Sequence, residues 1–244
     1  ITGAHYTYLN YGRIERTPND KERARLKREG AEHVETVMGF PRYWDGDYWN
    51  FKIDEFIANN KFHLTKAKAR RKGFSYKRGS QAANTINLFP NVTVTLAADQ
   101  LAYLTDKGAT TFMAKKCLDH FEEHTFWKRG YISEAIDDIL MGYRVSTKGL
   151  KNFGWLSNLY SVAIGKNESA AVGKKAIEID FEEAGKCPNL QKALDVTLSN
   201  TESGAISVGT IRVYGTGGTK GANWAAFSKA FYNPKMNKML CMEN

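Results

Sequence analysis

Phosphate chemistry needs cations, backbone N–H groups and a hydroxyl in one place. The stretch Lys66-Ala67-Lys68-Ala69-Arg70-Arg71-Lys72-Gly73-Phe74-Ser75-Tyr76-Lys77-Arg78-Gly79 can supply all three. A strand-forming run, Phe62 to Ala67, precedes the basic turn, and a helix-forming run, Ser75 to Leu88, follows it. Strand, basic turn with a glycine, hydroxyl and helix is the layout of a phosphate-binding loop. The helix start would offer unpaired N–H groups and the positive end of the helix dipole to phosphate oxygens. The stretch departs from the usual G-x-x-x-x-G-K-S/T pattern. Lys68 stands at the first glycine and Phe74 at the lysine, so only Gly73 and Ser75 match.

A second group of reactive side chains lies in Ala176-Ile177-Glu178-Ile179-Asp180-Phe181-Glu182-Glu183-Ala184-Gly185. A strand ending in acids and a glycine is the second signature of a nucleotide hydrolase. One acid there holds Mg²⁺, usually through water, and the next polarises the attacking water. Solvated carboxylates at a strand end are the bland alternative. A third stretch, Val208 to Tyr214 running into Gly215-Thr216-Gly217-Gly218-Thr219-Lys220-Gly221, has the look of a glycine-rich phosphate loop. It lacks a glycine-lysine-hydroxyl triplet, and Lys220 spoils G-x-G-x-x-G. His120 and His124 are four residues apart and could face a metal. No third ligand is evident beside them, so they read as surface histidines.

The elements that must position these groups alternate. Asn91 to Leu96 is a β-branched strand, followed by a helical stretch from Ala98 to about Leu104 and a helix over Thr111 to Glu123. Residues 154 to 164 suit a strand, Gly165 to Lys175 a polar loop, and Pro188 to Ser199 a helix with proline near its first turn. Strands alternating with helices imply a parallel, doubly wound sheet with ligands at the strand carboxyl ends, where all three signatures fall. Upstream, Thr17-Pro18-Asn19-Asp20 is a turn and helix cap, and Lys21 to Val37 reads as an exposed helix. Four aromatics between Tyr43 and Trp49 read as packing of an extension on its domain, with Arg42 and Tyr43 as nucleotide-base candidates.

The formal net charge is +9 over 244 residues. Eight lysines or arginines and no acid lie between Lys61 and Ser80, so the excess is concentrated at the phosphate loop. A binder that spreads its charge along a face would show the opposite pattern. The chain has no apolar run of membrane-spanning length and no secretory signal. It starts at Ile1, as a piece of a longer protein would. Cys117, Cys187 and Cys241 are widely spaced and odd in number, which fits reduced thiols in a cytosolic setting.

Taken together, HYTYLNY near the start, KARRKGFS, IDFEEAG and VYGTGGT resemble the ATPase domain of tailed-phage large terminase subunits, over roughly Gly3 to Pro234. These motors package viral double-stranded DNA into a procapsid. The loop resembles the deviant lambda-type version, in which the lysine lies at the front and an aromatic fills the usual lysine slot, as Lys68 and Phe74 do. The resemblance implies a P-loop NTPase of the ASCE type, with a mostly parallel central sheet flanked by helices. An N-terminal extension over residues 1–60 would pack on a core over 61–244, without the family's carboxyl-terminal nuclease. The nucleotide would lie against Lys68, Ala69, Arg70, Arg71, Lys72, Gly73, Phe74, Ser75 and Tyr76.

In that reading Lys68 contacts phosphate, with Lys66 and Lys72 as rivals, and Arg70 or Arg71 senses phosphate or the transition state. Ser75 would ligate Mg²⁺. Glu182 would be the metal-side acid, with Asp180 competing for that role, and Glu183 the water activator. Gly215, Thr216, Gly217 and Gly218 would form the motif coupling nucleotide state to movement. The family also implies Mg²⁺ with ATP as cofactor, and double-stranded DNA, a portal protein and a small terminase subunit as partners. It implies a homo-oligomeric ring on the procapsid and residence in the host cytoplasm.

Overall fold

The computed structural model describes residues 2–69, 72–125, 130–146, 149–172, 175–199, 201–203, 206–207, 209–216 and 222–243. An eight-stranded sheet forms the centre: β1 (His63–Ala67), β2 (Thr93–Ala98), β3 (Tyr131–Glu134), β4 (Asp138–Met141), β5 (Asn158–Ala163), β6 (Glu178–Phe181), β7 (Thr210–Gly215) and β8 (Met239–Glu243). Their order is β8-β1-β7-β6-β2-β5-β4-β3. The first six in that order are parallel, and β4 and β3 add an antiparallel edge. This is the α/β fold of ASCE P-loop NTPases: β7 lies between the strand that leads into the basic turn, β1, and the strand that ends in acids, β6. The principal helices are α1 (Gly3–Tyr11), α2 (Asp20–Arg28), α3 (Asp45–Asn60), α4 (Phe74–Leu88), α5 (Thr110–His124), α6 (Leu190–Leu198) and α7 (Ala222–Tyr232).

Strand alternation sorts the two faces of the sheet. On one face Ile179 and Phe181 of β6 and Ile211 and Val213 of β7 pack with Ala193 and Leu194 of α6 and Phe227 and Ala230 of α7. On the other face Val94 and Leu96 of β2 meet Ala82, Ala83 and Ile86 of α4 and Ala114 and Leu118 of α5. Where this second face reaches β6, β7 and β1, it carries charged residues: Glu178, Asp180, Arg212 and Lys66 are all held inside the fold, against α3 and α4.

Several boundaries differ from the sequence reading. α2 stops at Arg28 because the backbone closes a Schellman cap, with Gly30 N–H donating to the Lys27 carbonyl (3.2 Å) and Ala31 N–H to that of Leu26 (2.8 Å). Its start is the anticipated one, a capping box between Asn19 and Glu22. The strand through Asn91 runs on to Ala98, and only the single turn Ala102–Thr105 is helical beyond it. The polar loop from Gly165 contains a 3₁₀ turn, Glu168–Val172. The edge strands β3 and β4, and a hairpin of Tyr143–Ser146 with Leu150–Phe153, were not anticipated. The aromatics around Trp44 are not core: Tyr43, Trp44 and Trp49 are all about half exposed or more. His120 is buried rather than on the surface, closed in by Phe40 and Tyr11. No helix is long and apolar enough to cross a membrane, among the described residues.

Candidate active site

β1 delivers Lys68 to the carboxyl edge of the sheet, where Lys68 N–H donates to the Gly215 carbonyl at the end of β7 (2.9 Å). The turn then enters α4 through Gly73, whose φ of 64° lies in the left-handed region that favours glycine. Gly73 caps α4 without a side-chain acceptor, so the helix start faces outward with its first N–H groups. Phe74, in the slot where a lysine is usual, points inward instead. Its ring packs on Tyr214 with centroids 4.6 Å apart. Lys68 is a cation of the site, its ammonium 5.3 Å from the centre of the Phe74 ring.

The acids meet this turn from β6. Lys68 Nζ donates to Glu182 Oε2 (3.0 Å) and lies 3.3 Å from Glu183 Oε1. Glu182 Oε1 accepts from the Thr110 hydroxyl at the start of α5 (2.6 Å). Burial alone would lower the Lys68 pKa, but the two carboxylates outweigh it and hold the ammonium above its ordinary value. Glu183 adopts φ 49° and ψ 38°, a left-handed conformation rare for a side chain of its kind. Such strain concentrates at functional positions. Its carboxylate is partly exposed and also lies 3.7 Å from Lys186.

Lys68, Ala69, Lys72, Gly73, Phe74, Ser75, Tyr76, Glu183 and Thr216 line one cavity of about 400 Å³, to which Gly108 and Lys186 also contribute. Lys186 and Gly108 carry no sequence signal that could have found them. Gly215 is adjacent and has a packing reason to be glycine. A Cβ there would come within 2.8 Å of the Gly185 nitrogen and 3.4 Å of the Ala184 nitrogen, the turn that follows Glu183. Arg70, Arg71, Gly217 and Gly218 lie outside the described residues.

Of the three acids only Glu183 lines this cavity: Glu182 is buried behind Lys68, and Asp180 lies elsewhere. It is wholly buried between Arg78, which bonds it through Nε at 3.0 Å and through Nη2, and Arg212 at 3.6 Å. Glu178 and Asp54 complete the cluster, with Glu178 3.0 Å from Arg212 and Asp54 3.4 Å from it. Lys77 pairs with Asp47 of α3 at 2.8 Å, and Lys66 bonds Asn50. Desolvation brings the Lys66 pKa down to about 8. Four cations of the basic run, Lys66, Lys68, Lys77 and Arg78, are therefore buried and partnered rather than displayed. The sequence reading of the run as a concentrated phosphate-facing charge is corrected accordingly.

A second cavity, of about 600 Å³, adjoins the first and shares Lys72, Gly73 and Tyr76 with it. Tyr8, Ile14, Glu15, Thr36, Trp44 and Asp47 form the rest of its wall. Trp44 lines this cavity and the expected base candidates do not: Tyr43 stacks on His5, and Arg42 is not in the wall either. Lys72 Nζ lies 5.5 Å above the Trp44 ring.

A parallel sheet with a basic turn, a helix start and paired acids at its carboxyl edge is a doubly wound α/β arrangement with its candidate site where such sheets bind ligands. Within that class the fold is that of the ATPase domain of phage large terminases. The ATPase domain of the Thermus phage P74-26 large terminase, in a variant form, aligns over 94% of this chain and 86% of its own, with a TM-score of 0.53 and 14% identity. The HK97 bacteriophage large terminase aligns over 84% of this chain and 40% of its own, at a TM-score of 0.50 and 13% identity. The large terminase of a thermophilic bacteriophage in complex with ADP aligns over 76% of this chain and 41% of its own, at 0.50 and 9%. The chain thus spans about two-fifths of the length of these longer large terminases. At such identities the likeness is one of fold. No protein-family model matches the chain, and no curated protein does.

Proposed function

We propose that the chain is the ATPase part of a DNA-packaging motor, hydrolysing ATP with Mg²⁺ to drive viral double-stranded DNA into a procapsid. The observation that carries this reading is the single cavity in which the basic turn, the start of α4, Glu183 and Thr216 meet. Triphosphate would lie there along the first turn of α4, and the base and ribose in the adjoining cavity against Tyr8, Trp44 and Tyr76. The Ser75 hydroxyl and the Glu182 carboxylate are hard oxygen donors of the kind Mg²⁺ takes. When bound, Mg²⁺ would offset phosphate charge. Asp180, the other acid weighed for the metal side, is held by two arginines away from the cavity, whereas Glu182 is held by Lys68, which lines it.

Lys68 is held by Glu182 and Glu183 and would turn to phosphate oxygens when a triphosphate binds. Freed of Lys68, the Glu183 carboxylate would accept a proton from the water that attacks the γ-phosphate in line. Arg70 or Arg71 would add a transition-state cation. Gly215 touches the turn that carries Glu183, so residues 215–218 would transmit a shift of that turn to β7 and beyond. In this reading residues 1–60 form an extension on the 61–244 core. The partners would be DNA gripped by its backbone, a portal protein and a small terminase subunit, with copies of the chain in a ring in the host cytoplasm.

The test is phosphate release from ATP by the purified chain, with and without Mg²⁺ and with double-stranded DNA added. Turnover that requires Mg²⁺ is expected. Nucleotide binding that is absent at millimolar ATP would remove the reading and leave a basic nucleic-acid-binding module in its place.

A further inference from the structure

The far end of α5 holds a cluster that nucleotide hydrolysis does not use. His120 and His124 are four residues apart on the helix, so they stack on one face. Their ring centroids are 4.2 Å apart. One ligand atom from each, together with a carboxylate oxygen of Glu123, can be chosen so that all three lie within 4.8 Å of one another. Tetrahedral ligands about 2.0–2.2 Å from a zinc ion sit roughly 3.3–3.5 Å apart. A small rotamer change in two exposed side chains, Glu123 and His124, covers the difference.

From this geometry we infer that His120, Glu123 and His124 form a binding site for a zinc-class divalent ion. Two imidazoles and one carboxylate suit Zn²⁺, Ni²⁺ or Co²⁺, whereas Mg²⁺ prefers an all-oxygen shell. The cluster reaches into the last turn of α5 through Glu123 and His124, where unpaired carbonyls give the helix its negative end and favour a cation. His120 is fixed in place by its surroundings. It is 5% exposed, stands edge-on to Phe40 at 5.4 Å and lies 6.5 Å from Tyr11. A positioned first ligand lessens the ordering needed when the ion arrives. His120 and Glu123 also line a cavity of about 390 Å³, which leaves room for solvent as a fourth ligand.

Lys107 and Lys116 line the same cavity and oppose the ion from a distance, but the cation in contact with a ligand is Arg13. Arg13 Nε donates to His120 Nδ1 at 3.4 Å, a long contact, and its guanidinium lies 4.1 Å above Phe40. Binding at Nδ1 would displace that contact, and binding at Nε2 would need the imidazole proton to sit on Nδ1. Either way a cation close by weakens the site, so removing it should tighten binding.

The probe is the metal alone: Zn²⁺ by calorimetry and Co²⁺ by its visible absorption, added to the tag-free chain without nucleotide. One ion per chain is expected, with the intense visible bands of a four-coordinate cobalt site. His124→Ala changes an exposed side chain and should leave the fold intact while weakening Zn²⁺ by about 100-fold or more, beyond the 10–100-fold of losing an outer-shell partner. Arg13→Gln should tighten it several-fold, an effect that a site elsewhere would not feel. Cys241→Ser, at a partly buried thiol, should change nothing. Binding that survives His124→Ala and Glu123→Gln unchanged would overturn the inference, as would no saturation below millimolar Zn²⁺. Loss of binding in Cys241→Ser would place the ion at the thiol and overturn it as well.

Discussion

Replacing Lys68 by methionine removes one charge from a nearly closed site and keeps the volume. The Lys68 and Glu182 side chains are 6% and 2% exposed and 3.0 Å apart, and Glu183 stands 3.3 Å from the same ammonium. At an effective dielectric near 20, each contact corresponds to roughly 5 kcal/mol of gross attraction. Desolvation offsets most of that in the intact pair. Removing one partner exposes the desolvation term, which is why broken buried pairs lose about 3–5 kcal/mol. Glu182 would keep only its bond from Thr110. Glu182→Gln is milder at about 1–2 kcal/mol, because Lys68 keeps a charged partner in Glu183 and the new amide still accepts.

The double variant Lys68→Met/Glu182→Gln has no unpaired charge at that position. It should be no less stable than Glu182→Gln alone, which puts the coupling at about 3 kcal/mol or more. Urea unfolding followed by circular dichroism, with the denaturant slope unchanged across the four proteins, measures each corner of the cycle. Lys68→Met within about 0.5 kcal/mol of the parent, or single effects that simply add, would refute the claim that the pair is buried and mutually neutralised.

Three further outcomes follow from the same geometry. Gly215→Ala drives a Cβ against the backbone at Gly185 and Ala184, so it should destabilise by about 1–3 kcal/mol and reduce ATP turnover, read by thermal melting and phosphate release. Asp180→Asn breaks a fully buried cluster with Arg78 and Arg212 and should remove about 3–5 kcal/mol. It should nonetheless leave turnover per folded molecule within about tenfold of the parent, roughly 1.4 kcal/mol in barrier. Hydrolysis abolished in a folded Asp180→Asn protein would move the metal-side acid to Asp180. Lys66 has its folded pKa lowered by burial to about 8, so between that value and its unfolded pKa the unfolded chain binds more protons. Stability should therefore rise with pH across that window, by up to about 3 kcal/mol from this group. The rise should be smaller by that amount in Lys66→Met, as measured by denaturation at pH 7.5 and pH 10.

How much of this was legible in the sequence follows from where each signal is encoded. Helix and strand periods placed β1, α4, β6 and β7, because each has a continuous local pattern. The same local pattern gave the phosphate loop its layout and put the acids at a strand end. Lys77 and Arg78 were counted with the charge of the phosphate loop because their partners, Asp47 of α3 and Asp180 of β6, are 30 and 102 residues away. No local window shows that a positive charge will be buried. Phe74 was legible as an aromatic in the lysine slot, but its reason, packing on Tyr214, depends on β7 lying beside β1. The edge strands β3 and β4 were missed because each has only four residues, too few to establish an alternation. Trp44 was misread as core because an aromatic cluster carries no sign of which ring faces a cavity.

In the proposed function, ATP is hydrolysed in the cavity at the head of α4 and Glu183 accepts the water proton. The direct measurement is single-turnover phosphate release with Mg²⁺-ATP, paired with ATP binding, for the parent chain and for Glu183→Gln. The parent should cleave bound ATP, and the variant should bind it at similar affinity while releasing phosphate at least about 100-fold more slowly, the lower range of general-base contributions. Equal rates in the two proteins, with ATP bound by both, would contradict the account.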